Sequence, residues 1–263
     1  MIPAATRYER ASDLDHALEL LAEPDAKAIA GGQSLIPVMK LRIARPSLVV
    51  DISRLDLRGV GEREGELHIG ALTTWDELVG AQELRRPAFA AIAECARGIG
   101  DLQVRNLGTI GGSVVHADPA SDMPAVLLAL GARLRLRSAD GERELAIGDA
   151  LLGPFTTAVG PQELVTAIAI PSPPVGSGSA YASMEHPASG FALAGAAALV
   201  TPNGETVAVT GVGATPTVLT SDGLAPEDVF GDRFASAEYR RELARVLADR
   251  ALESARERAK DDA

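Results

Sequence analysis

The stretch Val104 to Pro124, VRNLGTIGGSVVHADPASDMP, constrains this chain more than any other. Thr109, Gly111, Gly112 and Ser113 put small side chains at four of five positions, so several backbone N–H groups can converge on an anion with no Cβ in the way. A phosphate is the natural guest. Ala30 to Ile36, AGGQSLI, repeats the pattern, following the apolar run Lys27 to Ala30 and preceding a helical one. Each glycine pair alone more often marks a turn or bulge than a ligand, but two such loops suit a diphosphate better than one.

The rest of the composition narrows the field. At 263 residues the chain is long enough for two domains, or one with an appended lobe. Its net charge of −11 argues against nucleic acid or an anionic membrane as the main partner. The single cysteine, Cys95, lies in an alanine-rich helical pattern and reads as a buried, inert thiol. One thiol cannot hold an iron–sulfur cluster, and the four histidines show no ligand spacing, so any metal redox centre is expected on another chain. No run of about 18 apolar residues and no apolar leader is present, which reads as a cytoplasmic protein without a membrane span.

Along the chain, Ser12 as N-cap opens an amphipathic helix with Leu14, Ala17, Leu18 and Leu21 on one face, and Pro24 ends it. Lys27 to Ala30 and Ser47 to Ile52 read as strands, with one or two helical turns between them at Leu35 to Arg42. Leu67 to Ala71 reads as a strand, Thr74 and Glu77 as a capping box, and Pro87 as the first turn of a helix to about Ala96. Ser121 or Asp122 caps a helix through Leu130 with Gly131 as its C′ glycine. Asp140-Gly141 turns a hairpin, and Leu164 to Ile170 is a strand stopped by PSPP. Three further strands, at Tyr181 to Met184, Phe191 to Val200 and Thr206 to Val212, suggest an antiparallel meander. Ser236 to Lys260 closes the chain as a helix presenting Tyr239, Leu243, Val246 and Leu247.

Other motifs carry less. Gly211-Val-Gly213-Ala-Thr-Pro216 resembles a dinucleotide fingerprint, but Pro216 replaces the third glycine and no crossover helix follows, so it reads as a strand end. GxxxxGK[ST] and GxSxG are absent. His116 beside Ser113 and Asp118 reads as a polar residue of the loop, because local spacing cannot establish a triad. Gln33 and Ser34 suit hydrogen-bond donation to an anion. Asp118 and Asp122 divide between capping a helix and touching a sugar hydroxyl. Arg105 has three roles open to it: partner contact, phosphate neutralisation or a surface ion pair.

Three regions together carry a resemblance: AGGQSLIPVMKLR, IGDLQVRNLGTIGGSVVHADPASDMPAVLLAL and YASMEHPASGFALAGAA. They resemble the signature regions of the FAD-binding medium subunit of molybdenum hydroxylases, the family of aerobic carbon monoxide dehydrogenase and xanthine dehydrogenase. The resemblance spans nearly the whole chain. It implies an α+β fold: two α/β subdomains of the vanillyl-alcohol oxidase type clasping FAD, at 1–55 and 56–172, and a C-terminal lobe at 173–263 with a three-stranded antiparallel sheet and helices.

It also implies a site. Ala30, Gly31, Gly32, Gln33, Ser34 and Leu35, with Thr109, Ile110, Gly111, Gly112 and Ser113, would bind the diphosphate and adjoining sugar. Asp122 would contact the cofactor further along, and Ile99 and Val165 would give apolar contacts. Family members commonly carry Tyr-x-Lys where this chain has Tyr181-Ala182-Ser183, so Ser183 replaces the cation expected to reach the flavin.

In such an assembly a large subunit carries molybdopterin and a small subunit carries [2Fe-2S] clusters, in a dimer of heterotrimers. The medium subunit passes electrons through FAD to NAD, a quinone or oxygen. No catalytic acid or base is then needed on this chain. The rivals are a stand-alone FAD oxidoreductase of the same fold and a flavin-free assembly subunit.

Overall fold

Three principal sheets follow one another along the chain, each with its own helical cover, in a computed structural model that describes residues 2–262. The first contains β1 (Arg7–Arg10), β2 (Ala26–Ile29) and β3 (Leu48–Asp51), with β3 central and both neighbours parallel to it. A parallel pair needs a crossover, supplied here by α1 (Leu14–Leu21) and the short α2 (Leu35–Lys40). β3 is buried along its length, as a central parallel strand should be. β1 is exposed and charged and carries no hydrophobic alternation, so its sequence gave no strand signal.

The cap of α1 corrects the reading of Ser12. Asp13 is the N-cap, its side chain accepting from the His16 amide at 2.9 Å, while the Ser12 hydroxyl donates to the Asp13 carboxylate. A carboxylate in reach of the first-turn amides is the better acceptor.

The second sheet runs in the order β4 (Val60–Arg63), β5 (Glu66–Gly70), β10 (Leu164–Pro171), β6 (Arg133–Ser138), β7 (Gly141–Ala146), with every neighbour antiparallel. Between β5 and β6 lie α3 (Trp75–Gly80), α4 (Ala90–Gly98), α5 (Leu102–Leu107), α6 (Ile110–His116) and α7 (Met123–Ala129). α3 carries the expected Thr74/Glu77 capping box. Gly131 closes α7 at φ +66°, as the C′ position requires. The second glycine run is not an open loop: Ile110–His116 is helical, with the Thr109 side chain accepting from the Gly112 amide. After β7 come the short helix α8 (Ile147–Ala150) and a small hairpin of β8 (Leu151–Gly153) and β9 (Thr156–Thr157).

The C-terminal sheet is four-stranded rather than three-stranded: β11 (Gly178–Glu185), β12 (Ala192–Thr201), β13 (Gly204–Thr210) and β14 (Thr217–Val218). β14 is two residues long, too short to show a period. α9 (Ala237–Asp261) lies on this sheet with Ala244, Leu247, Ala248, Ala251 and Ala255 buried, whereas Tyr239 is half exposed. The expected face is thus the packing face in part: Leu247 is buried and Leu243 packs against the core, while Tyr239 turns outward and alanines supply most of the contact. A Cβ at Gly178 would lie 2.3 Å from the Ala255 carbonyl oxygen, so helix and strand approach closely enough that only small side chains fit between them. Gly211 ends β13 at φ +76°, consistent with its reading as a strand end.

Candidate functional site

A cavity of about 650 Å³ opens where the first and second sheets meet, within the range of small-molecule and cofactor pockets. Ala30, Gly31, Gly32, Gln33, Ser34 and Leu35 line it from one side. Thr109, Gly111, Gly112 and Ser113 line it from another, and Ile99, Asp122 and Val165 complete the set of expected residues found there. Ile110 does not line the cavity: its side chain is fully buried in the core. Ser183 is not a lining residue either. It sits on β11 opposite Gly195, on the same face as Tyr181 by strand alternation.

The two runs meet backbone to backbone. A Cβ at Gly31 would fall 1.7 Å from the Leu107 carbonyl oxygen and 3.0 Å from the Gly108 nitrogen, so only glycine permits this contact. Gly111 is equally constrained from below, where a Cβ would meet the Ala71 side chain at 2.7 Å and its carbonyl at 2.8 Å. Gly32, at φ +71°, takes the left-handed turn that leads into α2.

Their amides are used differently. In the second run the Ile110 amide donates to Thr73 O at 3.1 Å, Gly111 to Ala71 O at 2.9 Å, Gly112 to Thr109 Oγ1 at 3.3 Å and Ser113 to Thr109 O at 3.0 Å. The expectation that this run offers a nest of free amides is corrected: two of its donors tie α6 to the segment after β5 and two close the first turn of α6 on Thr109. In the first run, among the described residues, the amides of Ala30, Gly31, Gly32, Gln33 and Ser34 find no protein acceptor. The Ser34 side chain makes no cap bond to α2. Backbone donors left unpaired in a cavity wall fit an anionic or sugar-bearing ligand. This is the observation by which the cavity fits a dinucleotide such as FAD.

The far wall is held by the C-terminal sheet. Thr210 Oγ1 donates to Ser121 O at 2.7 Å, and the Gly211 amide donates to Pro119 O at 3.1 Å. Tyr181 Oη donates to Asp122 Oδ1. Burial, aided by the nearby charge of Glu185, pushes the Asp122 carboxyl up to about 6 against the opposing Tyr181 hydrogen bond. The Tyr181 phenol is itself driven up, first by burial and then by Asp122. α4 is fastened to the same sheet: Glu94 Oε2 accepts from the Tyr181 amide at 3.0 Å and from Arg258 Nη1 at 2.9 Å. Cys95, alongside, is buried, and that burial pushes its thiol up, in keeping with an inert role.

Sequence reasoning missed Trp75, Phe155 and Phe191, all of which line the cavity. Trp75 could not have been found, because its place under Gly108 depends on how α3 docks. His116, in the last turn of α6 rather than in a loop, and Asp118 both lie at the cavity. Among the described residues no group of three or more His, Cys, Asp or Glu side chains is gathered to hold a metal ion. None of their helices is long and apolar enough to cross a membrane.

Comparisons with known proteins agree with this geometry. Residues 4–173 match the family described as the FAD binding domain in molybdopterin dehydrogenase. The chain is 36% identical to the carbon monoxide dehydrogenase medium chain of Afipia carboxidovorans, over 99% of this chain and 100% of that one. It is 34% identical to the 6-hydroxypseudooxynicotine dehydrogenase complex subunit alpha of Paenarthrobacter nicotinovorans, over 99% and 97%. A crystal structure of Cu,Mo-CO dehydrogenase superposes with a TM-score of 0.91 at 35% identity, covering 98% of this chain and all of the matched one.

Proposed function

The chain belongs to the FAD-binding family of molybdopterin dehydrogenases, as a medium subunit, and from that premise we propose that it is the electron-transfer subunit of a heteromeric molybdenum hydroxylase. Bound FAD would accept electrons arriving from [2Fe-2S] clusters on a small partner subunit and release them to NAD, a quinone or oxygen, while a large partner subunit carries molybdopterin. The working assembly is a dimer of heterotrimers in the cytoplasm. Within this chain, 1–55, 56–172 and 173–263 are the structural units.

The observation that carries the reading is the row of unpartnered amides from Ala30 to Ser34, facing the glycine-tight N-terminal end of α6 across one cavity. In this reading those amides and the Ser34 hydroxyl hold the diphosphate. Gly112 and Ser113 allow the ligand to pass close to α6, and Asp122 meets the cofactor further along. Ile99 and Val165 supply apolar walls that exclude water. The pair Tyr181 and Asp122 keeps the carboxyl oriented, and Ser183 leaves that face without the cation that lysine would bring.

Purified full-length chain, stripped of bound flavin and titrated with FAD by calorimetry and visible absorption, tests the reading. Noncovalent uptake of one FAD is the expected result. A chain that stays colourless, alone and after co-expression with its neighbouring molybdopterin and iron–sulfur subunits, overturns it.

A further inference from the structure

Phe155 occupies a position that its own chemistry disfavours. It lies between β8 and β9 with φ +54°, in the left-handed region that a bulky aromatic residue rarely adopts. The conformation is enforced. The Phe155 amide donates to Ala117 O at 2.8 Å, and Ala117 is itself left-handed, at φ +51°, where it ends α6. Glycine would fit this turn without strain.

The ring gains little from the protein in return. It is 61% exposed, and its aromatic neighbour is His116, 5.2 Å away between centroids and tilted by 56°. Phe155, His116, Val115 and Thr157 nevertheless all line the cavity. A single exposed apolar residue needs no explanation. An exposed ring held at a cavity mouth by a strained backbone does, and such outliers gather where a ligand is clamped.

We propose that Phe155 is a positioning residue that packs its ring against a planar heteroaromatic ring of the bound cofactor, with His116 bracing it from the side. The inference rests on the flavin reading above. The partner ring is the adenine or the isoalloxazine of FAD. Both offer a π-face, and contact between such faces contributes beyond the area it buries.

The test uses the full chain freed of flavin, with Phe155→Gly, which removes ring and strain together, and Phe155→Tyr, which keeps the ring. Thermal unfolding of the flavin-free proteins is compared with FAD dissociation constants and the visible circular dichroism of bound flavin. The expected result is a flavin-free Phe155→Gly chain at least as stable as the parent, FAD binding weakened about fivefold or more, an altered flavin dichroic band, and Phe155→Tyr close to the parent. ADP and FMN as competitors then assign the ring: weakened ADP binding points to adenine, weakened FMN binding to isoalloxazine.

Unchanged FAD affinity and dichroism in Phe155→Gly overturns the inference and leaves the flavin reading intact. So does a fall in flavin-free stability that accounts for all of the lost affinity, since the ring would then be a structural prop. A parent chain that binds no FAD overturns both.

Discussion

The two glycine runs are built from nearly the same residues and do opposite things with their backbones. Among the described residues Ala30 to Ser34 leaves its amides without protein acceptors, while Ile110 to Ser113 bonds its amides to Thr73, Ala71 and Thr109. In the first run Gly31 admits the Leu107 carbonyl while the neighbouring amides stay unpaired; in the second Gly111 lets a helix settle on Ala71. A pair of glycines thus reports a close approach without saying whether the approaching group is a ligand or the protein itself.

Substitution can break or sharpen that contrast. Gly31→Ala is expected to have the largest effect, because its Cβ would collide with the Leu107 and Gly108 backbone and force the runs apart. FAD uptake should be abolished and stability reduced by about 4 kcal/mol, read from a flavin titration and from urea unfolding. Gly111→Ala should cost about 3 kcal/mol in the flavin-free chain through overpacking against Ala71, with FAD affinity falling less than the stability does. If Gly111→Ala were to leave flavin-free stability untouched while abolishing FAD binding, the contrast drawn here would be wrong.

Asp122, at the start of α7, is held by the C-terminal sheet through Tyr181, and its pH response makes that visible. The folded chain keeps the Asp122 proton up to about pH 6, whereas the unfolded chain releases it near 4. The unfolded state therefore binds fewer protons between those values. Asp122 makes stability fall as pH rises from about 4 to about 6, by up to about 3 kcal/mol, and adds no further slope above that. Asp122→Asn should remove this slope in unfolding measured across pH 4 to 7. The smallest effect is expected from Ser183→Lys on the same sheet. It should raise the flavin midpoint potential or tighten FAD binding, since a cation there favours reduced, anionic flavin. Spectroelectrochemistry and titration that show neither would remove Ser183 from the site.

Much of this was legible beforehand. The capping box at Thr74 and Glu77 and the C′ glycine at Gly131 are local devices that sit where their chemistry placed them, and the Asp140-Gly141 hairpin forms with its two-residue loop one position earlier, at Ala139-Asp140. The buried β3 followed from the apolar run Leu48 to Val50. Less legible were elements whose signal is not local. β1 is charged and exposed, and is a strand because β3 offers it an edge. β14 is two residues long. On α9 the leucines were placed correctly, but Tyr239 was included and the alanines that make most of the contact were passed over, because aromatic and aliphatic residues outrank alanine in any hydrophobic count. The decisive quantity was the closeness of Gly178 to Ala255, a distance that belongs to two segments at once.

By itself the sequence determined the longer strands and helices and the presence of two small-residue runs able to come close to another group, because turn, cap and period are properties of neighbouring residues. The tertiary structure decided which run keeps its amides free, that Ile110 turns into the core while Phe155 turns out, and that Asp122 stands against Tyr181. Those outcomes depend on which acceptors and surfaces arrive from distant segments, and no local pattern encodes them.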